Sequence, residues 1–183
     1  MRELWLVLLV MGGCGGIDVQ PLDIHDPRLP RSDRLFLADA EDAVVVARAN
    51  VAEADAVRAE VERWRARRAE AGSLGAADGP LDEMASARAR LAGLEHEAAQ
   101  ADADLARARL ALAYAQTAVR RDLAVYDLPP VEAATEAAAA RAAQSHEAAD
   151  SARVVLEEAT GRFWTAYRGM AAGGGDTRPL WKD

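Results

Sequence analysis

Between residues 33 and 171 the apolar positions return with the period of a helix in three successive stretches. In the middle stretch Met84, Leu91, Ala98, Leu105, Leu112, Val119 and Tyr126 recur every seven residues. Ala87, Leu94, Ala101, Ala108 and Ala115 fill the second seam position three residues after each. Consecutive heptads of this kind, with Asp122 as the one polar exception, predict a coiled coil. The last stretch repeats the pattern with Thr135, Ala142, Ala149, Leu156, Phe163 and Met170, interleaved with Val131, Ala138, Ser145, Ala152, Ala159 and Ala166. In the first stretch Leu37, Ala40, Val44, Ala47, Val51 and Ala54 keep 3-4 spacing. Val57, Val61 and Trp64 continue it after a 3-3 step, a stammer that locally overwinds the coil.

Glycine and proline separate the stretches, at Gly72 to Pro80 and at Leu128-Pro129-Pro130. Ser32 or Asp33 is placed to cap the first helix and Gly72 to end it in a left-handed conformation. Gly79-Pro80 with Asp82 and Glu83 opens the second helix, with acids at the positive end of its dipole. Pro129-Pro130 stops the second and opens the third, with Glu132 in its first turn. Helices of about 39, 47 and 42 residues follow, roughly 60–70 Å long at 1.5 Å per residue.

Short connections make successive helices antiparallel neighbours. Reversal at Leu128-Pro129 sets Ala101 against Leu156, Leu105 against Ala152 and Ala115 against Ala142. Reversal at the glycine loop sets Val51 against Ala101, Ala47 against Leu105 and Val44 against Ala108. Large residues then meet small ones at most levels, as a dense core requires. The alanine seams allow backbones to approach to about 8 Å, a packing type similar to the Alacoil. The expected fold class is all-α, an antiparallel three-helix coiled-coil bundle over residues 33–171.

Alanine, about a quarter of the chain, buries little area per level. Bulky side chains gather instead at the two ends. Trp64, Met84, Leu91, Leu94, Phe163, Trp164, Tyr167 and Met170 lie toward the glycine loop; Leu35, Phe36, Leu37, Val119, Leu123, Tyr126 and Val131 lie at the other end. Association of two copies could supply further burial, so a homo-oligomer is one open expectation. A formal charge of −8 argues against a nucleic-acid partner, which calls for a basic face.

The N-terminus adds an address. Leu4 to Met11 is an eight-residue apolar run behind Arg2, too short for the roughly 20 residues that span a bilayer and of the length expected of a cleavable signal. Cys14, the one cysteine, follows it among Gly12, Gly13, Gly15 and Gly16. The segment Val10-Met11-Gly12-Gly13-Cys14 resembles the lipobox of bacterial lipoproteins, with Met11 where leucine is usual. That resemblance implies a signal peptide over 1–13, acylation of Cys14 and anchorage of the mature chain. Gly15 in place of Asp favours, by the same resemblance, the outer membrane facing the periplasm. Residues 14–32 are then a lipidated terminus and flexible tether, and 172–183 a flexible tail.

Candidate chemistry is sparse. His25, His96 and His146 share no metal-ligand spacing, and His96 falls at a solvent-facing heptad position. No phosphate loop, nucleophile elbow or paired-cysteine site is present, so no catalytic residue, cofactor or small-molecule substrate is expected. Phe163, Trp164 and Tyr167 cannot all enter one seam; Trp164 is expected against the first helix. Trp164, Tyr167 and Trp181 are candidate partner-binding residues. Lys182, the sole lysine, gives a weak resemblance to the murein lipoprotein, which implies peptidoglycan attachment there. The reading is a lipid-anchored, non-catalytic spacer, scaffold or accessory subunit of an envelope complex. A peptidoglycan tether and a helical component of an export or efflux assembly are the alternatives.

Overall fold

The computed structural model describes residues 19–70 and 77–174. It is all-helical there: α1 spans Arg31–Glu70, α2 Asp78–Arg120 and α3 Leu128–Ala172, of 40, 43 and 45 residues. No described helix is long and apolar enough to cross a membrane.

Helix α2 ends six residues short of Tyr126 for a local reason. Leu123 N–H donates to Ala118 O and Asp122 N–H to Val119 O, at 2.9 and 3.2 Å. Between them Asp122 adopts φ 53°. This is the Schellman pattern, with aspartate in the left-handed position that glycine usually takes. Asp122 is therefore the residue that terminates α2, not a polar break within its seam. Leu123 then turns inward onto a cluster formed with Leu29, Leu37, Ala113 and Tyr114. At the opening of α3, Pro129 and Pro130 stand in the first turn, where no helical N–H is needed.

Helix α2 lies in the middle. Both outer helices pack on it, and among the described residues no Cα of α1 lies within 8 Å of one of α3. The expectation that both hairpin partners share the Met84–Val119 seam is corrected by this. Helix α3 takes that side of α2, where Ala87 faces Val155 and Ala159. Helix α1 takes another row, in which Ala85, Ala92, His96, Ala103, Ala113 and Thr117 are buried. At 100° per residue the two rows are about 150° apart. Both are lined mainly by alanine, so either face of α2 admits a close neighbour.

Contacts run in reverse order along each pair. Arg121 and Tyr114, late in α2, meet Asp33 and Glu41 early in α1. His96 meets Asp55 at mid-length, and Asp78 meets Arg68 at the far end. On the other side Thr135 Oγ1 donates to Ala108 O at 3.3 Å, His146 lies on Asp102, Arg153 on Glu95 and Arg162 on Glu83. Asp102 and Glu95, on either side of Ala101, thus meet residues 146 and 153, and the expected pairing of Ala101 with Leu156 does not form. The shift is about three turns. It arises because residues 121–127 leave the helix and move the reversal point toward the N-terminus.

The buried row of α3 is Val131, Ala138, Ala142, Ala149, Ala152, Ala159 and Phe163, all drawn from the two seam positions read in that stretch. In α1 the buried residues are Asp33, Leu37, Val44, Ala47 and Val61. Val57 is exposed, so the stammer does not form. The seam continues in regular 3-4 steps through Arg58, whose guanidinium turns to His96.

A tightly packed alanine row is intolerant of added volume. Ala103→Leu, at a residue only 1% exposed, should cost about 1–3 kcal/mol by overpacking. Ala140→Leu on the exposed side of α3 should stay within about 0.5 kcal/mol. Urea unfolding followed by circular dichroism measures both.

Candidate functional site

The two ends of the helix array are built differently. At the first, Arg121 Nε donates to Asp33 Oδ2 at 2.6 Å and Arg120 Nη2 to Asp33 Oδ1 at 3.2 Å. Asp33 is 5% exposed. It does not serve as the cap expected of it, because the helix already begins at Arg31 and Pro30 O accepts from the N–H groups of Asp33 and Arg34. Its carboxylate instead clamps the start of α1 to the end of α2. The hydrogen bond from Arg121, helped by both guanidinium charges, holds the carboxyl below its ordinary value of 3.8, although burial opposes this. Nearby, the Tyr114 hydroxyl donates to Glu41 Oε1 at 2.5 Å; burial and that bond raise its pKa.

The described part of the expected tether is laid onto this end. Leu29 is 2% exposed, and Val19, Leu22 and Ile24 pack on the cluster around Leu37 and Tyr114. Gln20 N–H donates to the Tyr126 hydroxyl at 3.2 Å. Asp23 and Asp26 each accept from an N–H two residues on, the side-chain turns aspartate favours.

Midway along α1 and α2, His96 is buried, contrary to the solvent-facing place assigned to it, because α1 covers its row. Its Nε2 lies 3.0 Å from Asp55 Oδ1, and its Nδ1 lies 3.5 Å from Arg58 Nη1. Asp55 can only accept and Arg58 only donate, and Gln100 Nε2 lies 3.3 Å from the same Nε2, so the ring is held both from α1 and from its own helix. A polar group in an apolar seam fixes register, since sliding by a turn would bury it unpaired. His146 is exposed and faces Asp102 at 2.9 Å. Among the described residues, no three His, Cys, Asp or Glu side chains form a group suited to a metal ion.

The other end is aromatic. Phe163 is fully buried with Ala77 and Leu81, and Trp64, Met84, Tyr167 and Met170 pack around it. Trp164 does not lie against α1. It stays on its own helix, 42% exposed, with ring centroids 5.2 Å from Phe163 and 5.7 Å from Tyr167, both edge-to-face. Arg88 stands 5.5 Å over the Trp64 ring, within cation–π range. Trp164 and Tyr167 are thus brought together. Cys14, Trp181 and Lys182 lie outside the described residues.

Between the ends, a groove of about 570 Å3 runs along α1 and α2, walled by Phe36, Ala43, Leu105 and Leu112 with Asp102 and Arg109 at its edge. No protein family, no curated protein and no solved structure matches the chain.

The Asp33 clamp predicts acid sensitivity. Its folded-state pKa is depressed, so its contribution is present above the ordinary carboxylate value and is lost as pH falls below about 4, through the folded value. Asp33→Asn should lower stability at pH 7 by about 1.5–3 kcal/mol, the range for hydrogen bonds to charged groups. The difference from the unmodified chain should shrink toward pH 2–3 in thermal melts.

Proposed function

We propose that this chain is a lipoprotein whose acylated Cys14 holds it at the outer membrane, facing the periplasm. Its helices form an antiparallel coiled-coil array that acts as a non-catalytic spacer and docking scaffold for another envelope component. The observation that carries the reading is the arrangement of three helices of 40–45 residues in a row, about 60–68 Å long at 1.5 Å per residue. A single row of long helices leaves extended side faces. Charged residues on α3 pair with α2 at exposed positions, which suits a solvated rod.

The ends have distinct roles in this reading. Residues 19–30 pack at the Asp33 end, and Cys14 precedes Val19 by five residues, a reach of at most about 18 Å. The acyl group therefore tethers that end, and the aromatic end with Trp164 and Tyr167 lies a helix length from it. An exposed tryptophan on a firm base of Phe163 and Tyr167 is the side-chain type that anchors protein interfaces.

A second reading is favoured by where α3 stops. Its last turn lies at the end remote from Val19, so the tail carrying Lys182 leaves from the far side, as a peptidoglycan tether would need. Muropeptide covalently attached to Lys182 after lysozyme digestion of envelopes would establish that role, and its absence would remove it.

The anchor is tested directly. Cys14→Ser should abolish palmitate labelling and move the protein from the membrane to the soluble fraction. Retention of the variant in washed membranes would refute lipid anchorage.

A further inference from the structure

Helix α1 carries a second apolar row that no other described helix covers, with Ala38 at its start half-buried. Its first row, through Leu37, Val44, Ala47 and Val61, is buried against α2. The second follows the same 3-4 spacing from Leu35 to Ala66, and it includes Ala38, Val45, Ala52 and Ala59. Leu35 and Val45 are 54% and 63% exposed, and Val46 beside them is also exposed. At 100° per residue the two rows of α1 are separated by about 150°. This is the separation of the two rows on α2, and on α2 both rows are occupied by a helix. The molecule itself therefore shows what such a face accepts: an alanine-lined helix in close contact along its length.

The charges on this row say which helix. Two polar residues interrupt it, Asp42 in its first half and Arg63 in its second. Among the described residues neither has an ion-pair or hydrogen-bond partner. Charges of both signs flank them, Arg34 and Arg48 in the first half and Glu60 and Glu62 in the second, so the complementarity rests on Asp42 and Arg63 within the row itself. A helix of this charge pattern is complementary to itself when reversed. Two copies of α1 packed antiparallel about an axis near Ala52 bring each Asp42 within reach of Arg63 of the second copy, once on either side of the axis. A row from residue 35 to residue 66 is about 46 Å long. Two helices in contact over that length bury on the order of 1,000 Å2, the threshold for a specific interface.

From these observations we infer that the outward face of α1 is a homodimer interface, in which two chains pack α1 against α1 in antiparallel, two-fold fashion with Asp42 paired to Arg63. This gives a six-helix array in the order α3, α2, α1, α1, α2, α3, with an isologous contact that closes on itself. It goes beyond the lipoprotein reading and does not use the anchor; because the two-fold sets one Asp33 end at each end of the array, a dimer acylated on both chains lies along the membrane surface rather than upright on it.

The test uses the full chain carrying Cys14→Ser, which removes the one native thiol and any acyl group. Sedimentation equilibrium should return twice the monomer mass at tens of micromolar. Ala52→Cys in that background should cross-link to itself on mild oxidation, because residue 52 lies beside the axis, whereas Ala143→Cys on α3 should remain uncross-linked. Asp42→Arg alone and Arg63→Asp alone should each weaken dimerisation about tenfold through like-charge contact, and the two together should restore it. Helical circular dichroism should be unchanged throughout, since both side chains are exposed. A chain that is monomeric at roughly 100 μM would overturn the interface. So would a dimer in which Ala52→Cys cross-links no faster than Ala143→Cys, or one that the double charge exchange fails to restore.

Discussion

Helix α2 has to be narrow on two sides at once, and the remainder of the structure depends on that. With α1 and α3 on separate rows about 150° apart, a large side chain in either row would push a neighbour outward along a whole turn. Alanine at Ala85, Ala92, Ala103 and Ala113 on one row, and at Ala87, Ala98 and Ala115 on the other, keeps both backbones close. Close approach recovers dispersion contacts that small side chains could not otherwise make. It also makes the middle of the array insensitive to register, because one alanine level resembles the next.

Register is therefore set by a few non-alanine groups, and these are spread along the rod. Asp33 with Arg121 and Tyr114 with Glu41 locate one end of α1 on α2, His96 with Asp55 and Arg58 locates the middle, and Arg68 with Asp78 locates the other end. The partly buried pairs cost most when broken, since an orphaned charge or hydroxyl remains. The pairs joining α2 to α3, His146–Asp102, Arg153–Glu95 and Arg162–Glu83, are more exposed. Solvent screens each of them, and they serve alignment more than stability. Bulky clusters close both ends, around Leu37 and Tyr114 at one and around Phe163 and Leu81 at the other. A rod pinned at its ends and register-locked between them suits a part that holds two things at a fixed separation, as the proposed spacer must.

The row of α3 was legible in full, because that helix has one neighbour and its apolar residues have one place to go. Helix α1 was legible up to Ala54 and then misled. The apolar residue nearest the seam was Val57, whereas the position belongs to Arg58, acceptable there because His96 and Asp55 lie opposite. Helix α2 hid its second row, since alanine at Ala92 or Ala103 reads equally well as a helix-forming surface residue. His96 looked solvated for the same reason. Asp122 read as a blemish in a heptad, because aspartate in the left-handed position of a helix terminus is uncommon and no neighbouring glycine announced it. Of the candidate site, the aromatic group of Trp164 and Tyr167 was visible as a group, but its base on Phe163, rather than on α1, was not.

The amino-acid sequence by itself determined that the chain forms three long helices, where proline and glycine separate them, and which residues of α3 face inward. These follow from period and propensity, which act over a few turns. Which side of α2 receives α1, how far α3 slides along it, and that α1 keeps an uncovered apolar row were decided only by the tertiary structure. Two alanine rows on one helix are equally apolar, so periodicity cannot choose between them. The choice rests on pairs such as Asp33 with Arg121, 88 residues apart, that exist only once the helices have been brought together.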